Sequence, residues 1–145
     1  MGSKRSKETV SYVMSRIRSQ GTKLEETLED ILKSIPVEYD KHPKIFGKPD
    51  FAYSGIKMAV FADSDFWHGF DWDKKRLEIK TNKDFWRTKI ERNMARDTEV
   101  TAKLEQEGWL VVRLWGHDIL RKPAECRSNI EKALKARAHI EVLKE

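Results

Sequence analysis

Five apolar residues in a row, Met58-Ala59-Val60-Phe61-Ala62, stop abruptly at Asp63, and a second acid, Asp50, stands a short distance upstream. In a chain with 37% charged residues, an uninterrupted apolar run this short is best accommodated as a strand buried inside a sheet. The Ser54-Gly55 turn that precedes it, with Asp50 to Tyr53 before the turn, predicts a hairpin of strands 50–53 and 56–63. Asp50 then opens one strand and Asp63 closes the next. Thirteen positions apart in sequence, the two carboxylates are brought to the same edge of the sheet.

The rest of the chain is expected to build around that hairpin. Helices are predicted over 8–19 and 22–35, the second carrying an apolar stripe of Leu24, Leu28, Ile31 and Ile35 and ending at Pro36. A strand near 37–41 leads into an irregular loop at 42–47. A long helix over 83–107 should stop at Gly108, followed by a buried strand over 109–115 and a last helix over 123–139. Sheet and helices alternate without repeat or linker, so a single α/β domain spanning 1–145 is expected, with residues 1–7 as a flexible basic terminus. No apolar run approaches the roughly 20 residues that cross a bilayer. A lone Cys126 makes no internal disulfide and no cysteine-based zinc site, which predicts a reducing, cytoplasmic setting, and a monomer is expected.

Charge distribution suggests the partner. The net charge is +5. Between Trp72 and Arg96, nine cations (Lys74, Lys75, Arg76, Lys80, Lys83, Arg87, Lys89, Arg92, Arg96) face four acids (Asp73, Glu78, Asp84, Glu91), so this segment alone accounts for the excess. Aromatic residues are interleaved with it. Such a mixture suits a polyanion with flat bases, although a solvated helix face has the same composition.

Six further residues bear on chemistry beside Asp50 and Asp63. Carboxylates brought together at Asp50 and Asp63 repel unless a cation lies between them, and a hard, oxygen-ligated Mg²⁺ is the natural occupant. Ordinary turn roles for both acids are the alternative. Asp97 falls on the core-facing stripe of the long helix with Trp86, Ile90, Met94, Val100 and Leu104, where an acid needs a partner. Glu25 fits a capping box with Thr22 and also a position aimed at the sheet edge. A histidine at 68 suits proton transfer near neutral pH, and His117 could equally serve or simply pack, while Phe66 and Trp67 suit either a core or a wedge between base pairs.

Taken together, these motifs resemble the very-short-patch repair (Vsr) mismatch endonucleases, a branch of the restriction-endonuclease-like PD-(D/E)xK superfamily. The resemblance runs from about residue 9 to 120. It includes Met14 to Arg18, Thr22 to Glu25, Gly47-Lys48-Pro49-Asp50-Phe51, Val60-Phe61-Ala62-Asp63, Phe66-Trp67-His68, Phe85-Trp86, Lys89-Ile90, Asn93, Arg96-Asp97 and Gly108-Trp109. It implies a restriction-endonuclease-like α/β fold, a central mixed sheet flanked by helices. Its implied reaction is Mg²⁺-dependent hydrolysis, with one or two ions, of one strand of double-stranded DNA 5′ to the T of a T:G mismatch, leaving a 5′ phosphate. Asp50 resembles the principal metal-binding acid, the backbone carbonyl of Ala62 a second ligand, and Asp63 a neighbouring site position. His68 resembles the catalytic histidine, Glu25 and Asp97 acids that hold water or orient the site. Phe66, Trp67 and Trp86 match intercalating aromatics, and Lys83, Arg87, Lys89, Arg92 and Asn93 belong to the DNA-binding face.

Two departures qualify the resemblance. Where family members hold structural zinc, this chain has Asp65 and His117 and no nearby cysteine, which implies that zinc is absent and that packing replaces it. Asp63-Ser64-Asp65 also lacks the superfamily lysine. A same-fold endonuclease with another lesion, mispair or restriction-type specificity, and a non-catalytic DNA-binding module, are the competing readings.

Overall fold

A computed structural model describes residues 21–144. The expected helix over 8–19 and the basic terminus at 1–7 lie outside the described residues. A first helix, α1, is helical from 21 to 33 within them. Strand β1 (Asp40–Lys41) follows, then β2 (Phe51–Tyr53), a single 3₁₀ turn (Ser54–Ile56) and β3 (Met58–Asp63). Helices α2 (Trp72–Glu78) and α3 (Lys83–Gln106) precede β4 (Leu110–Trp115), and α4 (Gly116–Arg121) and α5 (Pro123–Lys144) complete the order.

The strands form one sheet in the order β1-β2-β3-β4, antiparallel between the first three and parallel between β3 and β4. This is the mixed sheet of an α/β fold. Side chains alternate across β3 with the period of two that a strand imposes. Met58 and Val60 pack with Phe51 and Tyr53 against Leu28, Leu32, Ile119, Ile130 and Leu134, placing α1 and α5 over one face. Ala59 and Phe61 pack with Val100 and Leu104, placing α3 over the other. Asp63 has the parity of Phe61, so its side chain falls on the α3 face. It is the one polar or charged residue among the buried described residues.

The predicted hairpin forms, with the first strand shortened and the 3₁₀ turn taking Ile56 out of the second. The strand expected near 37–41 contracts to Asp40–Lys41 because the chain after α1 turns tightly, with the Val37 amide donating to the Ile35 carbonyl at 2.8 Å and Val37 left exposed. Strand β4 is half-buried along most of its length, less buried than its apolar sequence suggests. Two short helices, α2 and α4, were not anticipated. α2 buries no residue and so carries no apolar periodicity to read. α3 ends where predicted, Gly108 taking φ 89° beyond its last turn, a left-handed conformation that glycine adopts without penalty.

The loop before β2 is held against α3 at Gly47, whose φ is 81° and where a Cβ would collide with the Val100 side chain. This contact fixes the approach of Lys48-Pro49-Asp50 to the sheet. Gly47→Ala is therefore expected to cost about 1–3 kcal/mol, from backbone strain and overpacking together, read as a lowered urea midpoint at unchanged slope.

Candidate active site

Asp50, Asp63, His68 and Asp97 line one cavity of about 350 Å³, together with Gly47, Lys48, Ala62, Trp67, Asn93, Arg96 and Arg113. Sheet geometry explains the meeting. Phe51 pairs with Val60, so Asp50 lies just beyond the end of β2 beside the last residues of β3. Its Oδ2 accepts the Ala62 amide at 2.7 Å, and among the described residues Oδ1 accepts no hydrogen bond. In a strand the N–H and C=O of one residue point to the same edge, so the Ala62 carbonyl also lies on the Asp50 side. Burial holds the Asp50 carboxyl above the usual carboxylate range against the opposing pull of that amide, and the charges of Glu25 and Asp63 raise it further.

Asp63 is bound differently. Arg113 Nη1 donates to both its oxygens, at 3.0 and 3.2 Å. Burial raises its pKa, while His68 and Arg113 pull the other way. His68 donates through Nδ1 to Asp97 Oδ2, and Asp63 Oδ1 stands 3.6 Å from the same nitrogen. Burial alone would lower the imidazole pKa, but the Asp97 hydrogen bond and the two nearby acids outweigh it, and the net shift is upward. With Nδ1 engaged, Nε2 is the position left for proton exchange.

Glu25 does not line this cavity. Thr22 lies inside α1, which is already helical at 21, so the predicted N-cap position is not a helix start. The Glu25 carboxylate pairs with Nε2 of His42, whose amide donates to the Asp50 carbonyl at 2.9 Å. Its negative charge helps to raise the Asp50 pKa.

The aromatic residues form a closed cluster. Phe66 meets Trp67 and Trp86 edge-on, each with centroids 5.3 Å apart, and Trp67 lies 5.9 Å from Trp86. Trp86 is only 5% exposed, so it is the floor of the cluster in this state, whereas Phe85 is 45% exposed. Lys89 Nζ sits over the Trp67 ring at 5.3 Å. Lys83 and Arg92 are exposed on α3. Arg87 is spent on structure, its guanidinium donating to the Arg76 carbonyl at 2.7 and 3.1 Å and tying α2 to α3. Asn93 lines the cavity itself.

Asp65 and His117 make a direct carboxylate–imidazole contact at 3.1 Å, and Phe70 packs on the His117 ring at 4.4 Å. The pair ties the loop after β3 to the start of α4.

Arg113 is one site residue that the sequence reading missed. The signal was present: a single cation inside Leu110-Val111-Val112-Arg113-Leu114-Trp115 needs a partner if the strand is half-buried. His42 and Lys48 were also passed over, lying in a loop with no periodicity.

A family model described as DNA mismatch endonuclease Vsr matches residues 3–74. The type II nicking enzyme V.NmeDIP of Neisseria meningitidis serogroup C is 43% identical over 123 residues, covering 84% of this chain and 83% of that protein. The chain belongs to the Vsr family of DNA endonucleases. The type II nicking enzyme V.HpaIIP of Haemophilus parainfluenzae is likewise 43% identical, over 118 residues covering 81% of this chain and 84% of that protein. The DNA mismatch endonuclease Vsr of Escherichia coli strain K12 is 27% identical over 110 residues, covering 75% of this chain and 70% of that protein. Vsr-family endonucleases act on DNA. Among the described residues no helix is long and apolar enough to cross a membrane.

The donor set suits a hard cation. Among the described residues no three His, Cys, Asp or Glu side chains are grouped to hold a metal, but Mg²⁺ keeps much of its water and needs only one or two protein carboxylates. Asp50 and the Ala62 carbonyl supply oxygen donors, whereas both Asp63 oxygens are taken by Arg113.

The half-buried Asp50 carboxylate carries a cost to folding. Its folded pKa lies above 3.8, so between these values the folded state binds more protons than the unfolded one, and stability falls as pH rises through that window. The loss persists at neutral pH. Asp50→Asn is expected to raise the melting temperature at pH 7 without divalent cation, the gain disappearing below the ordinary carboxylate pKa.

Proposed function

We propose that this protein is a Mg²⁺-dependent nickase that, as a monomer, cuts one strand of duplex DNA 5′ to the T of a T:G mismatch, leaving a 5′ phosphate and initiating repair of deaminated 5-methylcytosine. The observation that carries the reading is the shared cavity. A half-buried acid with one unused oxygen and a carboxylate-bound histidine with a free Nε2 meet there, with Trp67 of the aromatic cluster on the cavity wall and a cationic helix beside it. A binding module gains nothing from acids placed against phosphates.

The chain's own groups divide the work. Lys83, Arg92 and the other exposed cations of α2 and α3 hold the backbone, while Asn93 and Arg96 reach the cavity wall. Phe66 and Trp67 open the stack, most readily at a mispair already weakly stacked, and Trp86 backs them and joins in only if the cluster opens. Asp50 and the Ala62 carbonyl would hold Mg²⁺, with Glu25 biasing Asp50 through its charge. When bound, the cation polarises the phosphodiester, lowers the pKa of water and stabilises the departing 3′ oxygen. His68 Nε2 takes the proton of the attacking water, and Asp97 steadies the imidazolium that forms. Structural zinc has no part in this reading, since the Asp65–His117 contact and Phe70 already clamp the loop that such an ion would hold.

A strand-resolved cleavage assay with matched, T:G and other mispaired duplexes should give a Mg²⁺-dependent nick beside the T that Asp50→Ala abolishes. Equal cutting of matched DNA would replace the mismatch assignment with another specificity. His68→Ala should slow the cutting step by about 10²–10⁴-fold. Because the base is the neutral imidazole and its pKa is raised, the wild-type rate should climb with pH through a value above 6.5, and that limb should vanish in the variant.

A further inference from the structure

We propose that Arg113 is a positioning residue for the nicking reaction, one that ties up Asp63 so that Asp97 alone holds His68. The inference rests on the nickase reading and adds a residue that nothing in the comparisons assigns.

The geometry around His68 poses a choice. Its Nδ1 carries one proton and faces two carboxylates, bonded to Asp97 Oδ2 with Asp63 Oδ1 3.6 Å away. Pairing with one or the other turns the ring and redirects Nε2. Arg113 settles the choice by donating from Nη1 to both Asp63 oxygens, at 3.0 and 3.2 Å, while Asp97 Oδ1 stands farther from that nitrogen, at 3.8 Å. The same guanidinium reaches the other carboxylate's helix, with Nη2 donating to the Asp97 main-chain carbonyl at 3.4 Å and Nε to Thr101 Oγ1 at 2.8 Å. Its plane rests on the Phe61 ring, 4.0 Å from the centroid. A rigid fork of donors thus fixes the end of β3 and the middle of α3 from the neighbouring strand β4.

These contacts also say what Arg113 does not do. Nε, Nη1 and Nη2 all donate inward, and the side chain is 20% exposed. Lys48 and Arg96 line the same cavity, are exposed and make no ion pair among the described residues, so they are the cations free to meet phosphate. Arg113 acts through its neighbours. Lysine at this position keeps a charge near Asp63 but cannot also reach Thr101 and the Asp97 carbonyl, so it restores the function only in part.

The test compares Arg113→Gln, Arg113→Lys, Asp63→Asn and the double variant Arg113→Gln/Asp63→Asn by single-turnover nicking of a T:G duplex and by equilibrium binding of that duplex without divalent cation. Thermal melts check folding. Arg113→Gln should slow cutting about 10²-fold, the size of a misplaced catalytic group, with Kd within twofold of wild type. Arg113→Lys should recover part of the rate. Removing the competitor as well should recover more, so the double variant should cut faster than Arg113→Gln alone. The hydrogen-bonded Nδ1–H proton of His68, assigned by its loss in His68→Ala, should be resolved by NMR in the wild type and weakened or shifted in Arg113→Gln and, to a smaller degree, in Arg113→Lys. That signal needs no turnover, so it decides the inference even if the substrate assignment is wrong or Arg113→Gln does not fold. Weakened DNA binding with an intact cutting rate would make Arg113 a phosphate contact and overturn the proposal. So would a double variant slower than Arg113→Gln, or an unchanged Nδ1–H signal in both arginine variants.

Discussion

Strand β3 is hydrogen-bonded along both edges and packed on both faces, antiparallel to β2 on one side and parallel to β4 on the other. Every backbone group in such a strand must find a partner inside the sheet, which fixes its register. A slip of one residue would send Met58 and Val60 to the α3 face and turn Asp63 into the apolar core between the sheet, α1 and α5. Register at β3 therefore determines where the chemistry can be. The strand ends at the point where β2 has already run out, and the unpaired edge left beside Ala62 is what Asp50 occupies.

The site sits at that edge as an electrostatic compromise. Asp50, Asp63 and Asp97 converge on one cavity, and folding brings the first two out of water at a cost that shows in their raised pKa values. Each acid is compensated differently: a backbone amide for Asp50, a guanidinium for Asp63, an imidazole for Asp97. Asp50 is the least fully compensated.

How much of this was legible in the sequence follows from the kind of signal each residue leaves. The β2–β3 hairpin and the end of α3 at Gly108 were readable because an apolar run, a turn dipeptide and a glycine after a long periodic stretch are local signals. The convergence of Asp50 with Asp63 followed from the hairpin, and Asp97 from its place on the apolar stripe. Arg113 and His42 were not found because their roles depend on contacts with residues 50 and 17 positions away. Glu25 was ambiguous for the same reason. Its pairing depends on how the 42–47 loop folds, and a loop with Pro43 and Gly47 gives no periodic clue. Helix α2 left no signal because nothing in it is buried.

The closed packing of Phe66, Trp67 and Trp86 has a further consequence. If these rings serve as the wedge, they are each other's partners before they are any base's, and inserting them means giving up ring contacts already made within the protein. That cost is common to every duplex, so it leaves the ratio between good and poor sites unchanged. It lowers the occupancy of both. Ordinary DNA, which must also give up intact stacking, then falls below the level at which the protein stays bound, and a weakly stacked step remains above it. On that reading a self-satisfied aromatic cluster would keep a basic nuclease from lingering on the great excess of sound DNA.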